Sequence, residues 1–230
     1  VRESSRAKGE ALAKEFGINK IYTDYQALLN DPEIDIVYIG IPNNLHYEYA
    51  LAALNAHKHV ICEKPFTSNY GELLTLSDIA RKNNLFLLEA ITLLYSPNFQ
   101  YIKENLEKVG DIKLVQCNYS QYSSRYPQYL SGSVLPAFDP AMSGGALYDI
   151  NIYNVHFICG LFGKPDAVEY HANIGFNGID TSGILIMQYP AFIAVCSGAK
   201  DSQSPSHATV QGINGYIKLT SAPNISKSVE

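Results

Sequence analysis

Along the first ninety positions, apolar residues fall in short runs that alternate between two periods. Residues 34–41 (IDIVYIGI), 60–62 (VIC) and 85–88 (LFLL) are brief and rich in β-branched residues and leucine, as buried parallel strands are. Helix-forming stretches lie between and before them. Residues 7–16 place Ala11, Leu12 and Phe16 on one face, with Gly17 as a stop, and residues 25–29 follow Asp24, a good N-cap, and end at Asn30-Asp31-Pro32. Residues 47–56 and 70–83 complete the series. Strand, helix, strand, helix, strand predicts an α/β fold with a Rossmann-like doubly wound parallel sheet.

After Ala90 the texture changes. A helix is expected over 99–109, a strand over 112–120 and a mostly apolar helix over 145–161. Residues 127–143, polar and interrupted by Gly and Pro, read as a long loop of the kind that carries function. Strands follow over 167–176, 183–189, 192–197, 208–213 and 216–220, with Asn214-Gly215 as a hairpin turn between the last two. This is the pattern of an α+β domain with a largely antiparallel open sheet. The expected division is residues 1–91 and 92–230.

Composition narrows the classes. With 47% hydrophobic and 17% charged residues the 230-residue chain packs a real core, and its 17 basic and 22 acidic residues include no Lys/Arg run that would grip nucleic acid. Apolar runs stop at strand length, which speaks against a membrane partner, and the first residues lack the apolar stretch of a signal peptide. Cys62, Cys117, Cys159 and Cys196 are widely spaced in apolar surroundings, so reduced core thiols are expected, with no metal site and a cytoplasmic location.

The segment from residue 34 to 65 holds the most chemistry. A strand leads to Pro42-Asn43-Asn44-Leu45-His46 and a helix, and a second strand leads to Glu63-Lys64-Pro65. Strand ends on one edge of a parallel sheet border the crevice where ligands bind, so a lysine directly after a buried strand is held at a ligand site. Taken alone, Lys64 would be a surface lysine; Glu63, Pro65 and the strand reverse that reading. Asp149 and Tyr153 are four apart on the later apolar helix and share a face. The plain alternatives are a carboxylate complementing a helix dipole and a core tyrosine with a satisfied hydroxyl.

Pro-Asn after an apolar strand, a following His, Glu63-Lys64-Pro65, Glu89-Ala90 and the run from Gly144-Gly145-Ala146 through Asp149 to Tyr153 together resemble the Gfo/Idh/MocA oxidoreductases. The resemblance covers nearly the whole chain. It implies hydride transfer between NAD or NADP and a sugar, polyol or related small alcohol or carbonyl compound. In that reading Lys64, Tyr153 and Asp149 are catalytic, and Ile41, Pro42, Asn43, His46, Glu63, Lys64 and Pro65 bind the cofactor. His46 either touches the cofactor or caps its helix. Many relatives carry histidine where this chain has Tyr153, which looks like the subgroup containing dimeric dihydrodiol dehydrogenase and glucose–fructose oxidoreductase. Tyr153 would then carry the substrate proton, Lys64 would stabilise its phenolate and draw its pKa down from about 10, and Asp149 would orient the lysine or the substrate.

Several further expectations follow. The family's opening strand and Gly-x-Gly-x-x-Gly/Ala turn are missing, as are its last strands and terminal helix, which reads as a piece of a longer enzyme. Leu94-Tyr95-Ser96-Pro97 departs from the arginine-phenylalanine that relatives carry there. Arg2, Ser4, Ser5 and Arg6 favour a 2′-phosphate and hence NADP, against Glu3, which suits a ribose hydroxyl. The first domain would bind dinucleotide; the second would bind substrate and pair into a homodimer or homotetramer through an open sheet face. Two other classes stay in view: a dinucleotide-binding regulatory or structural protein without turnover, and carbohydrate binding by the second domain alone. His156 reads as a packing histidine, Glu89 as either a substrate-side residue or a buried partner for a cation, and residues 119–129 as either cleft wall or sheet surface.

Overall fold

The structure is a computed structural model that describes residues 3–230; Val1 and Arg2, the latter one of the positions expected to select the cofactor, lie outside the described residues. The chain divides into two compact units. One takes the chain up to Ile41 with Leu45–Glu63 and Asn69–Glu89, and the other takes Pro42–Asn44, Lys64–Ser68 and Ala90–Glu230.

In the first unit, helix α1 (Arg6–Phe16) stops where Gly17 turns left-handed (φ 65°), and the short helix α2 (Tyr25–Leu29) starts where Asp24 accepts from the Gln26 N–H at 3.0 Å. Strands β1 (Ile36–Ile39), β2 (His59–Cys62) and β3 (Leu87–Glu89) form a parallel sheet in that order. Helices α3 (His46–Asn55) and α4 (Tyr70–Lys82) connect them, burying Ala50, Ala53, Leu54, Leu76 and Ala80. Within this sheet Val37, Ile39, Val60 and Cys62 are buried, and Ile36, Tyr38 and Leu88 are exposed.

The second unit is built on a six-stranded sheet in the order β5-β6-β7-β4-β8-β9, from β4 (Ile112–Ser120), β5 (Ala167–Ile174), β6 (Asp180–Gln188), β7 (Ile193–Ala199), β8 (His207–Gly212) and β9 (Gly215–Leu219). All neighbours are antiparallel except the central pair β4 and β7, which run parallel from Leu114↔Ile193 to Ser120↔Ala199. Helix α5 (Pro97–Asn105) is shorter than the 99–109 expected, because its last turn tightens into a 3₁₀ turn over Leu106–Val109. Helix α7 (Ile152–Phe162) lays Phe157 and Ile158 on Val115, Cys117, Ala194 and Cys196, closing the core.

Three expectations change in detail. The stretch 127–143 is not an open loop: it holds helix α6 (Tyr126–Leu130) and 3₁₀ turns at Pro136–Phe138 and Pro140–Met142, each with proline at its start, where the missing N–H costs nothing. The helix expected over 145–161 begins as a π-helical turn, Leu147–Asn151, before α7. The last hairpin turns one residue earlier than Asn214-Gly215 suggests, on Ile213 and Asn214, since Gly212 pairs with Gly215, whose φ is 146°.

Two glycines let the π turn sit where it does. A Cβ on Gly145, at φ 102°, would fall 1.9 Å from the Asp180 carboxylate, which accepts from the Leu147 N–H at 2.7 Å and so closes the start of the turn. A Cβ on Gly198 in β7 would sit 2.7 Å from the Cβ of Asn151. Asn151 is fully buried and donates to the Cys196 carbonyl at 3.1 Å, and the next amide, Asn154, donates to Asn151 at 2.8 Å and to the Ser197 carbonyl at 3.0 Å. Gly198→Ala is therefore expected to push the turn off the sheet and cost about 1–3 kcal/mol in urea unfolding. An unchanged unfolding midpoint would show that this close approach is not required.

Candidate active site

The chemistry-bearing residues that meet all lie in the second unit. Lys64 Nζ donates to the Asp149 backbone carbonyl at 2.7 Å and to its Oδ1 at 3.1 Å. The same ammonium lies 5.2 Å from the centre of the Tyr153 ring. The four-residue spacing of Asp149 and Tyr153 turns both toward one cleft of about 270 Å³, lined also by Tyr119, Gln121, Ser123, Ser124, Arg125 and Lys200.

Lys200, one residue past the end of β7, was not singled out by sequence. Its Nζ reaches the other oxygen of Asp149 at 2.8 Å, donates in a short hydrogen bond to the Ala137 carbonyl and stands 4.3 Å over the Phe138 ring. Its side chain is 3% exposed, against 16% for Lys64 and 31% for Asp149. Phe138 is itself held by stacking on Tyr129 at 5.0 Å, and Tyr129 stacks on Phe176 at 4.4 Å. The tyrosine-rich stretch therefore divides. Tyr119, Gln121 and residues 123–125 face the cleft, while Tyr126 and Tyr129 belong to this aromatic wall.

Electrostatics follow from the geometry. Burial works to raise the Asp149 pKa, but the Lys200 and Lys64 ammonium groups outweigh it and hold the carboxyl below its ordinary 3.8. Burial draws Lys200 below the ordinary lysine value, with Asp149 pulling in the opposite direction. Tyr119, whose ring lies 6.0 Å from that of Tyr153, is raised by burial.

The residues after β1 and β2 are placed as follows. Pro42 and Asn43 line a second cavity of about 300 Å³ with Pro136, Ala137 and Met142, and Arg125 and Asp149 border both cavities. Asn43 Nδ2 donates to the Ser143 carbonyl at 3.0 Å. Ser68 and Ser143 share a hydroxyl contact at 2.6 Å, and the Tyr148 hydroxyl donates to the Ser68 carbonyl at 3.0 Å. Pro65 is buried. In the first unit, Glu63 accepts a short hydrogen bond from the Tyr38 hydroxyl. His46 is fully buried, and its Nε2 donates to the Ile41 carbonyl at 2.9 Å, so Nε2 carries the proton. The capping role considered for His46 is overturned: Leu45 is the N-cap of α3, which has no side-chain cap.

Because the folded pKa of Asp149 is depressed, its contribution to stability is fully present above the unfolded value and is lost as pH falls through the lower, folded one. Thermal unfolding from about pH 2 to 6 should show Asp149→Asn clearly less stable than the parent above pH 3.8, with the gap closing at lower pH. A gap that stays constant throughout would remove the ionised carboxylate from this account.

Known proteins resemble this chain in sequence and in fold. Residues 1–90 match the oxidoreductase family described as having an NAD-binding Rossmann fold, and residues 99–218 match the GFO/IDH/MocA C-terminal domain. The chain is 39% identical over 218 residues to scyllo-inositol 2-dehydrogenase (NADP(+)) IolU of Bacillus subtilis (strain 168), covering 95% of this chain and 66% of that protein. It is 31% identical over 219 residues to trans-1,2-dihydrobenzene-1,2-diol dehydrogenase of Xenopus tropicalis, covering 93% of this chain and 64% of that enzyme. It thus spans about two thirds of the length of each relative. An NAD binding oxidoreductase from Klebsiella pneumoniae, 22% identical, has the same fold, with a TM-score of 0.83 over 93% of this chain and 61% of that one. With both parts of the family signature matched in order along its length, the chain belongs to the Gfo/Idh/MocA oxidoreductase family.

Proposed function

We propose that the protein is an NAD(P)-dependent dehydrogenase that moves a hydride between nicotinamide and a CH–OH group of a polyol, sugar or cyclic diol. The observation that carries this reading is the cleft in which Lys64 is bound to Asp149 and its ammonium lies over the Tyr153 ring. A protein that only bound dinucleotide would have no use for a carboxylate shared by two ammonium groups beside a phenol.

Tyr153 takes the proton of the substrate hydroxyl during oxidation and returns it during reduction. Lys64 stabilises the phenolate and the negative charge that develops on the substrate oxygen, and Asp149 holds Lys64 in place through two hydrogen bonds. Gln121, Ser123 and Ser124 offer donors and acceptors for further hydroxyls. The residues fit a nicotinamide: Pro42, Leu135, Pro136 and Met142 give the neighbouring cavity apolar walls, and Asn43, Arg125 and Asp149 border it with polar groups. When bound, that ring supplies the carbon that accepts or donates hydride. Pro42, Asn43, Lys64 and Pro65 would contact it, with Ile41, His46 and Glu63 shaping the backbone on either side. The named substrates of the two relatives, an inositol and a cyclic diol, both carry hydroxyls on adjacent carbons of a six-membered ring. Arg6, Ser4 and Ser5 favour NADP, although Arg6 is shared with Glu3 and Glu10 at 3.4 and 3.1 Å. Four cysteines without a disulfide suit the cytoplasm.

The sheet of the second unit turns Leu114, Ile184, Ile186, Ile193 and Val195 to the face opposite α7, with Ile184 and Ile193 about half exposed. A second copy of the chain is the occupant we assign to that face.

With scyllo-inositol or a cyclohexadiene diol and either nicotinamide cofactor, Lys64→Ala and Tyr153→Phe are each expected to lower turnover by at least about 100-fold, read as nicotinamide absorbance. Near-parental rates in either variant would refute the role given to that residue. Ile184→Lys with Ile193→Lys should convert an oligomer to a monomer in sizing coupled to light scattering; a parent protein that is already monomeric would dismiss the pairing.

A further inference from the structure

We infer that Lys200 is a positioning residue that sets the charge of the cleft, binding one oxygen of Asp149 so that the group formed with Lys64 keeps a net positive charge beside Tyr153. A lone lysine–aspartate pair is neutral. Here one carboxylate serves two ammonium groups, Lys64 on Oδ1 at 3.1 Å and Lys200 on Oδ2 at 2.8 Å, and the three together carry one positive charge.

The surroundings of Lys200 suit an ammonium. Its Nζ meets a carboxylate, a backbone carbonyl and the face of Phe138, three acceptors of positive charge. Its backbone is tied as firmly: the N–H donates to the Thr181 carbonyl at 2.8 Å, and its carbonyl accepts from the Ser123 N–H at 2.9 Å, next to the cleft-lining Ser124 and Arg125. With its side chain 3% exposed and its Nζ on Asp149 Oδ2 at 2.8 Å, Lys200 acts on the chemistry through Asp149. Charge on this trio bears on Tyr153 because a phenolate is favoured by positive potential nearby. The other charged or titratable groups around the site are Arg125 and Tyr119 on the cleft wall and Asp180, which acts on Lys200; His156 lies three residues along the helix of Tyr153.

The inference rests on the proposed dehydrogenase reading only in giving Tyr153 a proton to carry, and its test needs no turnover. Phenolate absorbance of the protein, minus that of its Tyr153→Phe counterpart, reports the titration of Tyr153 alone. In Lys200→Met that titration should move to higher pH by roughly one unit, and in Lys200→Arg it should return to the parental position. Asp149→Asn, which removes the negative charge and keeps both lysines, should move it the opposite way. The acidic limb of the kcat profile for alcohol oxidation, where Tyr153 must be deprotonated to act as base, should follow the same order.

A Lys200→Met protein that loses thermal stability while Tyr153 titrates as in the parent would reduce Lys200 to a structural lysine and overturn the inference. If Lys200→Met does not fold, Lys200→Gln, which keeps a hydrogen-bond donor for Asp149 and removes the charge, decides: an upward move supports the inference and no move rejects it. Parental-like dehydrogenase activity with an unmoved titration would sink the charge inference alone. A shifted titration in a protein without dehydrogenase activity would sink the functional reading alone.

Discussion

A carboxylate held between two ammonium groups is the interaction around which the second unit is arranged. Bringing a lysine to 3% exposure carries a desolvation cost that only complete pairing offsets, and one ion pair seldom suffices. Here the compensation comes from separate parts of the chain. Asp149 arrives on the π turn, the Ala137 carbonyl and Phe138 ring come from the turn after Leu135, and Lys200 follows the end of β7. Each part has its own reason to be rigid: the aromatic stack behind Phe138, the amide ladder of Asn151 and Asn154 on β7, and the backbone bonds of Lys200. A site whose groups must hold their geometry is well placed on such elements.

The π turn belongs to the same logic. An α-helix starting at Gly145 would also put Asp149 and Tyr153 four apart, so the wider turn is not needed for their spacing. It accompanies an unusual use of the backbone, since the Asp149 carbonyl accepts from the Lys64 side chain at 2.7 Å. Wide turns inside helices are frequent at functional sites. Glycine at 145 and the Asp180 carboxylate at the start of the turn are the local conditions for it, and glycine at 198 lets the sheet accept it at close range.

Much of this was legible in the sequence because it is local. The alternation of strand and helix, Asp24 before α2 and Gly17 after α1 are each written within a few residues, and the structure places them there. The meeting of Lys64 with Asp149, 85 residues later, was accessible only through motif resemblance, since nothing local joins them. What the sequence does not display is non-local. Lys200 stands in Gly-Ala-Lys-Asp-Ser at the end of a strand, where lysine nearly always faces solvent, and its burial depends on Ala137 and Phe138 more than sixty positions earlier. The parallel pairing of β4 with β7 likewise leaves no mark in either strand. The turns within 127–143 did leave one, proline at each start, which the overall polarity of the stretch concealed.

In the proposed dehydrogenase, the tyrosine at position 153 and the number of ammonium groups explain one another. A neutral imidazole accepts a proton near neutral pH without help from its surroundings, so a histidine in that place would work beside an uncharged pair. A phenol does so only where positive potential favours its anion. A single lysine matched to a single carboxylate would spend that potential on the ion pair. A second lysine, buried and held by its own acceptors, restores it without adding a group that competes for substrate. On this view the buried ammonium is the counterpart of the phenol, and the cleft is a unit of four side chains: Lys64, Asp149, Tyr153 and Lys200.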